Sequence, residues 1–395
     1  MKKLFFILLL PLLAIYSEAS NVRLSDRAFV SLLSCEPSEE IYARFWHTAI
    51  RVCDPEQDID IAYNYGIFDF SEKGFIPKFV SGATDYMLAS YEAQYFLESY
   101  IDRQSTVYEQ VLDLSSDQRQ RIFDLLEENA KPENRIYRYN FVYDNCATRA
   151  YYMIKKVIDE ASETMVVSTD FRPTTYRMIF AEFLGSDNWQ RFAIDFVIAR
   201  EADLPLLEPE PLVAFPKYTK DMLSATVLVK DSIERPLVSQ SRVLSKYPTK
   251  IPNDSSWFRP TIVCSLLLIL FTWFTVWGWK KQRYFIWVDV VLFSVLGLMG
   301  MVIFYLAVFS SHPLVHQNFN LLWANPLHIV FALAILKKSW RKWLSLLAIA
   351  SVFAAFVSMI IMMTRFQVMN AAFLALIALS ILRSVMFFQY HFKQK

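Results

Sequence analysis

The segment Tyr139-Asn140-Phe141-Val142-Tyr143-Asp144-Asn145-Cys146 reads as the end of a strand delivering one cysteine to the first turn of a helix. Asp144 or Asn145 would cap that helix, which runs from Cys146 to Lys156. A thiol placed there can act as a nucleophile, because the helix N-terminus carries partial positive charge and unpaired N–H groups that favour the thiolate. The chain holds five histidines, and only His47 falls in the part with water-soluble character. Such an imidazole and such a thiol together support covalent acyl chemistry. His47 takes the thiol proton, Cys146 attacks a carbonyl, and a second nucleophile resolves the thioester. The backbone N–H of Cys146 and a neighbouring polar group would hold the oxyanion. Taken singly, a cysteine of this kind is commonly a small buried hydrophobe and a strand histidine a satisfied core residue. Their joint occurrence, each in a suitable element, is what points to catalysis.

Several elements must position this pair. Phe45–Val52 alternates as a strand, Cys53–Asp58 has turn chemistry, and Asp60–Gly66 reads as the returning strand of a hairpin. Across that hairpin Asn64 can reach the His47 ring nitrogen not used for chemistry, with Asp60 as the rival orienting group. Arg23–Leu33, Ser90–Tyr100, Ser116–Ala130, Thr174–Phe183 and Asn188–Ile198 show helical spacing, Tyr137–Tyr143 that of a strand, and Phe68–Tyr86 reads as an aromatic loop. Residues 201–256 are proline-rich and read as an extended connector with one hairpin across Ala225–Lys230 and Leu237–Val243.

Composition divides the chain. Apolar residues make up 54% and charged residues 20%, with mean hydropathy +0.26, an average of a mixed polar part and nearly continuous apolar segments from residue 257 onward. Lys2-Lys3, an apolar run to Ile15 and Ser17-Glu18-Ala19 form a signal peptide over residues 1–19, the alternative being an uncleaved anchor. Residues 20–200 would then form an exported domain, 201–256 the connector and 257–395 a membrane domain of five spans. These are expected at Pro260–Trp279, Tyr284–Phe309, Phe319–Leu336, Trp343–Met363 and Phe366–Phe388. Lys280, Lys281 and Arg283, then Lys337, Lys338, Arg341 and Lys342, then Lys393 and Lys395 mark the cytoplasmic ends. The exported domain lies outside and the C-terminus inside, the orientation a signal peptide also demands. Cys35, Cys53 and Cys146 are exported; Cys35 and Cys53 would either pair, sparing Cys146, or all three stay reduced.

A second polar cluster enters the third span from outside. His312, His316, Asn318, Asn320, Trp323, Asn325 and His328 lie where polar groups are costly, which suggests a pocket for a lipid headgroup or acyl substrate. An interfacial loop at headgroup level is the alternative. Asp289 and Arg383, near cytoplasmic ends of spans, would snorkel. The net charge of +1 offers no basic stripe for nucleic acid. The exported part has no cluster at metal-ligand spacing, and seven glycines leave no phosphate loop, so neither metal nor cofactor is expected.

His47-Thr48-Ala49-Ile50-Arg51-Val52, Tyr63-Asn64-Tyr65-Gly66-Ile67-Phe68-Asp69-Phe70 and Asp144-Asn145-Cys146-Ala147-Thr148-Arg149, followed by Asn318–Leu327, resemble the Lnb family over nearly all the mature chain. The resemblance implies an α+β fold: a circularly permuted papain-like (NlpC-type) exported domain followed by a five-helix transmembrane bundle. In such folds, as in lecithin–retinol acyltransferase, a polar residue on the strand after the histidine completes the site, often a second histidine; Asn64 holds that place here. The resemblance further implies lipoprotein N-acyltransfer at the inner membrane, from a phospholipid donor through Cys146 to the N-terminal amine of a diacylglyceryl-cysteine lipoprotein. A cysteine peptidase or amidase on cell-wall peptides and a non-enzymatic membrane scaffold are the competing readings.

Overall fold

The computed structural model describes residues 22–38, 44–168, 171–248 and 257–392; the expected signal peptide lies outside them. A seven-stranded antiparallel sheet dominates the N-terminal part, in the order β10-β5-β1-β2-β3-β4-β6. Its strands are β1 (Phe29–Cys35), β2 (His47–Asp54), β3 (Ile59–Ile67), β4 (Asp85–Glu92), β5 (Val107–Leu112), β6 (Ile136–Arg138) and β10 (Val238–Ser245). Between them lie α1 (Phe75–Ser81), α2 (Ala93–Asp102), α3 (Ser116–Ala130), α4 (Cys146–Glu160), α5 (Tyr176–Leu184), α6 (Trp189–Val197) and α7 (Pro216–Ser224). A smaller sheet joins β7 (Thr164–Val167), β8 (Thr226–Lys230) and β9 (Ile233–Pro236).

The centre of the sheet is covered on both sides. Val30 and Leu32 of β1 enter the main core with Ile50, Val52 and the buried face of α4, whereas Leu33 and Cys35 pack with Ala49, Ala62 and Phe96 on the opposite face. A strand buried on both faces shows no alternation. For that reason Arg23–Leu33 presents helical spacing while its second half is in fact β1, paired in register with β2 from Phe29 opposite Cys53 to Cys35 opposite His47. This register separates Cys35 from Cys53 by six strand steps, about 20 Å. A disulfide tolerates no such gap, and all four cysteines are free thiols.

Other boundaries shift for local reasons. The aromatic stretch 68–86 contains the short helix α1, closed at both ends by left-handed glycines, Gly74 and Gly82. β4 continues to Glu92 before α2 begins, and the strand expected over Tyr137–Tyr143 stops at Arg138. The expected connector is structured over its described length. It holds α7, the β8–β9 hairpin, and β10, which pairs with β5 at the edge of the main sheet rather than with β8.

Among the described residues four helices are long and apolar enough to cross a membrane: α8 (Pro260–Lys280), α9 (Ile286–Phe309), α11 (Arg341–Thr364) and α12 (Ala372–Phe392). The expected third span, Phe319–Leu336, is broken. A 3-10 turn over Phe319–Leu322 precedes α10 (Leu327–Ala334), whose 8 residues reach about 12 Å against the roughly 30 Å of a bilayer core. Pro326 lacks the N–H a continuous helix would need. The segment descends along α9, with Asn325 against Gly300 and Ile329 against Gly297 at distances that leave no room for a Cβ on either glycine. Its irregular backbone is thus shielded by protein, the condition under which such backbone is tolerated at membrane depth.

Arg383 and Asp289 do not snorkel. Both are buried; the Arg383 guanidinium donates to Asp289 (2.6 Å), to Thr275 (2.9 Å) and to the Phe285 carbonyl (3.3 Å), and Tyr284 donates to Asp289. One charge pair ties α8, α9 and α12 together inside the bundle. Two short side chains and a carbonyl match the guanidinium fork, so pairing inside competes with reaching for water.

Candidate active site

Local chemistry fixes the start of α4. Asn145, with extended backbone, accepts the N–H groups of Ala147 (2.9 Å) and Thr148 (3.0 Å), and Thr148 returns the bond to the Asn145 N–H at 2.8 Å. The Asn145 amide also donates to the carbonyls of Ala214 (2.8 Å) and Phe141 (3.0 Å), so the cap is buried and bonded on every side. Before it, Asn140 and Asp144 close a tight turn, with the Asn140 carboxamide oxygen accepting from Val142 and Tyr143 (3.0 Å each). Asp144, two residues before Cys146, is held by a two-pronged contact with Arg149 (2.6 and 2.8 Å), whose guanidinium lies 3.6 Å from the centre of the Tyr137 ring. No acidic residue occupies the first turn of α4. Cys146 therefore begins the helix where the field favours negative charge.

His47 opens β2, directly after Trp46, which holds a left-handed backbone (φ 67°). A bulky residue there costs energy, and Trp46 is fixed by stacking on Tyr108 (6.0 Å). The His47 ring lies against Tyr100 and Phe96 of α2, nearly parallel to Tyr100 (6.2 Å, 15°). Its Nε2 lies 2.6 Å from Asn64 Oδ1, and the Asn64 amide donates to the Tyr91 hydroxyl at 2.7 Å. An amide oxygen only accepts, so Nε2 carries a proton and the remaining nitrogen, Nδ1, is left for the hydrogen bond with Cys146. Gly66, with φ +93°, sits over both groups, its Cβ position 3.7 Å from Cys146 Cβ and from His47 Cε1. That positive φ falls in the bulge where β3 and β4 slip register after Asn64.

The electrostatics follow. Burial works against the Cys146 thiolate, but the His47 charge, the His47 hydrogen bond and the N–H groups of Thr48 and Ala147 outweigh it, and the thiol titrates below its ordinary range. His47 moves the opposite way. Burial alone would lower it, whereas the Cys146 charge and the hydrogen bonds that the ring donates to Cys146 and Asn64 raise it above the usual imidazole value. The two shifts describe one thiolate–imidazolium pair that titrates as a unit. Cys53 and Cys35 contrast with it: burial pushes both thiols up.

The structure brings together Cys146, His47 and Asn64. Asp60 is elsewhere, gripped by Arg51 (2.6 and 2.7 Å), which also holds the buried Glu109. The polar segment entering the bundle splits in two. Asn318 donates to the carbonyls of Phe196 and Val197 (2.9 and 3.0 Å) and Asn320 to those of Asp195 and Phe196 (3.3 and 3.0 Å), so the two asparagines are spent on the end of α6, while Trp323 donates to Asn320 (3.0 Å). His312 Nε2 meets the Phe79 carbonyl at 2.6 Å, and the exposed His316 meets that of Ala307 at 3.1 Å. Asn325 Oδ1 and both ring nitrogens of the buried His328 have no partner. Tyr91, Tyr100 and Gly66 were not anticipated as site residues. Gly66 carried a signal, a scarce glycine two residues after Asn64; the two tyrosines carried none.

A buried ionic junction also escaped sequence reasoning. Asp195 takes Arg177 (3.2 Å), Arg191 (2.6 Å) and Asn370 (3.1 Å), while Arg177 reaches Asp203 (2.6 Å) and the carbonyls of Ile198 and Ala199. It lies where α6 meets the membrane helices.

These features define a membrane protein with an N-terminal α+β domain seated on a helical membrane domain. Residues 19–182 match the family model of the Lnb N-terminal periplasmic domain, and residues 252–395 match that of the Lnb transmembrane domain. The chain belongs to the Lnb family, and its N-terminal domain is periplasmic. No curated protein and no solved structure matches it.

Proposed function

We propose that this protein is a membrane-bound thiol acyltransferase that moves a fatty acyl chain from a phospholipid, through a Cys146 thioester, to the N-terminal amine of a diacylglyceryl-cysteine lipoprotein. The observation that carries the reading is the Cys146–His47–Asn64 constellation in a periplasmic domain fastened to a membrane bundle. A helix-borne cysteine packed on strands that carry the histidine and then a polar orienting residue also suits a circularly permuted papain-like domain.

In the first half-reaction the Cys146 thiolate attacks the donor ester carbonyl. The Cys146 N–H at the start of α4 would serve the developing oxyanion, the Ala147 and Thr148 N–H groups being held by Asn145. The ester C–O bond breaks, the lysolipid alcohol leaves with the proton from His47 Nδ1, and a thioester remains. In the second half the lipoprotein amine attacks that thioester, neutral His47 accepts the amine proton, and the C–S bond breaks to restore the thiolate. Asn64 keeps the proton on Nε2 throughout, so Nδ1 always faces the sulfur. The ester of the donor is the energy source, which suits a compartment without nucleotide-activated acyl groups. His312 and His316, at the outer rim, are the members of the polar segment placed to meet lipid headgroups, with Asn325 and His328 as a deeper polar slot; Asn318, Asn320 and Trp323 hold the rim in place.

Incubation of the full chain in phospholipid vesicles with a diacylated lipopeptide tests this. The expected result is a lipopeptide heavier by one acyl chain on its amine and an acyl adduct on Cys146, both lost in Cys146→Ala. Cleavage of soluble muropeptides without any acyl adduct would sink the proposal in favour of an amidase.

A further inference from the structure

The described residues expose an unusual run of apolar side chains around α1: Phe70 is 62% exposed, Ile76 65% and Phe79 45%. Water is a poor surrounding for such a patch. Its position supplies another. The Ser311 N–H donates to the Ser81 carbonyl (2.9 Å), the Ser311 hydroxyl to that of Gly82 (2.9 Å), and His312 meets the Phe79 carbonyl. Ser311 and His312 lie two and three residues beyond Phe309, the last residue of α9. Because α9 is a membrane helix and α1 belongs to the periplasmic domain, α1 is pinned at the height where the periplasmic leaflet begins. Tyr305 and Phe309 on the last turn of α9 are exposed beside it, as aromatic side chains at that level are. Lys73 flanks the patch, as basic groups do on elements lying in a headgroup layer, while Lys78 is paired with Glu72.

From this patch a ladder of aromatic rings leads inward. Phe79 packs on Phe75 (6.0 Å), Phe75 on Phe68 (5.7 Å), Phe68 on Tyr86 (4.8 Å), and Tyr86 stacks on Tyr139 (4.0 Å). Phe68 follows Gly66 by two residues, and Gly66 lies directly over Cys146 and His47. The ladder therefore begins at the bilayer and ends beside the thiol.

We infer that α1 is an interfacial element inserted in the periplasmic leaflet, and that the ring ladder from Phe79 to Tyr139, whose middle rungs Phe75 and Tyr86 are buried, is the packed apolar wall beside which a phospholipid acyl ester rises to Cys146. The inference builds on the reading of Cys146 as the acyl-accepting nucleophile. Apolar rings shield a chain lifted partly out of the bilayer, so the ester can rise to the thiol without exposing the chain to water.

Ile76 is the probe, being exposed and remote from the thiol. In vesicles of phosphatidylethanolamine and phosphatidylglycerol, Ile76→Glu is expected to slow Cys146 acylation by about tenfold or more, and Ile76→Phe to leave it unchanged. With the water-soluble donor p-nitrophenyl butyrate, Ile76→Glu and the native chain should acylate at equal rates. Equal rates from vesicles would overturn the inference, and so would an equal loss with both donors, which would indicate a distorted site. A second measurement needs no turnover: p-benzoylphenylalanine placed at position 76 is expected to photocrosslink to phospholipid, read as a lipid-mass adduct, and absence of that adduct also overturns the inference. Absence of any Cys146 adduct in the native chain with either donor, alongside a clear crosslink, would instead fault the nucleophile and leave the membrane seat of α1 standing.

Discussion

Replacing Asn64 by alanine isolates what the orienting residue does for the thiol. Asn64 accepts a 2.6 Å hydrogen bond from His47 Nε2, and that bond is strongest when the ring is imidazolium. A hydrogen bond to a charged group contributes about 1.5–3 kcal/mol, which corresponds to about 10- to 150-fold in the balance between the thiolate–imidazolium pair and the neutral pair. The native shifts set the direction: His47 is raised and Cys146 lowered. The ion pair is accordingly present above the Cys146 titration, lost as pH falls through it, and lost again as pH rises through that of His47. Without Asn64 the imidazole gives up its proton more readily, moving the alkaline limb to lower pH. The thiol, less supported by positive charge, titrates higher, moving the acid limb to higher pH. The reactive window narrows from both sides. Iodoacetamide labelling followed residue by residue by peptide mass mapping across about pH 5 to 9 measures this, and Cys53, whose thiol is pushed up by burial, is the internal reference. Native Cys146 should label fastest, and Asn64→Ala should slow Cys146 by about tenfold or more near neutrality while leaving Cys53 unchanged. Superimposable Cys146 profiles for the two proteins would refute the assigned role of the amide.

Two further outcomes test the frame around the site. Asp195→Ala leaves Arg177 and Arg191 buried without their shared carboxylate, a change that costs about 3–5 kcal/mol; unfolding in detergent should begin earlier, and hydrogen exchange should rise in α6 and around Asn370 together, whereas protection lost on one side alone would count against a shared junction. Gly82→Ala places a Cβ 2.6 Å from Ser311 Oγ and 2.9 Å from the His312 nitrogen at φ +73°, and the backbone alone costs about 1–2 kcal/mol; the thermal midpoint should fall, adding Ser311→Ala should recover only part of the loss, and a midpoint equal to the native one would contradict the tight α1–α9 seam.

The reactive pair was legible because its determinants are local. An asparagine before a helix start marks Cys146, and an alternating strand, a turn and a returning strand set His47 near Asn64, whereas the approach of α4 to β2 is a tertiary contact; Asp60 lost its candidacy only through Arg51 and Glu109, the latter 58 residues from Arg51. What escaped depends on distant partners. β1 hides its alternation because helices and loops cover both faces of the sheet. Arg383 reads as a snorkelling residue until Asp289, 94 positions away, is placed beside it. The asparagines at the membrane announced that something polar must meet them, but nothing near them in the chain indicates that the partner is the end of α6. The break in the third apolar segment was missed for a related reason: hydropathy registers apolar content, not the interruption at Pro326.

The end of α6 bears on how the protein is made. The last turn of any helix leaves carbonyls without partners, and here those of Asp195, Phe196 and Val197 are taken by Asn318 and Asn320. In return, the irregular segment beyond α9 gives its Leu314 and Gln317 carbonyls to the N–H groups of Ala199 and Arg200. Each half thus supplies hydrogen bonds that the other lacks. The carbonyls at the end of α6 gain these protein partners only once the segment leading into the third apolar stretch is in place. The bundle in turn closes only when a folded α6 is there to receive it. The end of α6 and the segment beyond α9 are therefore expected to order together.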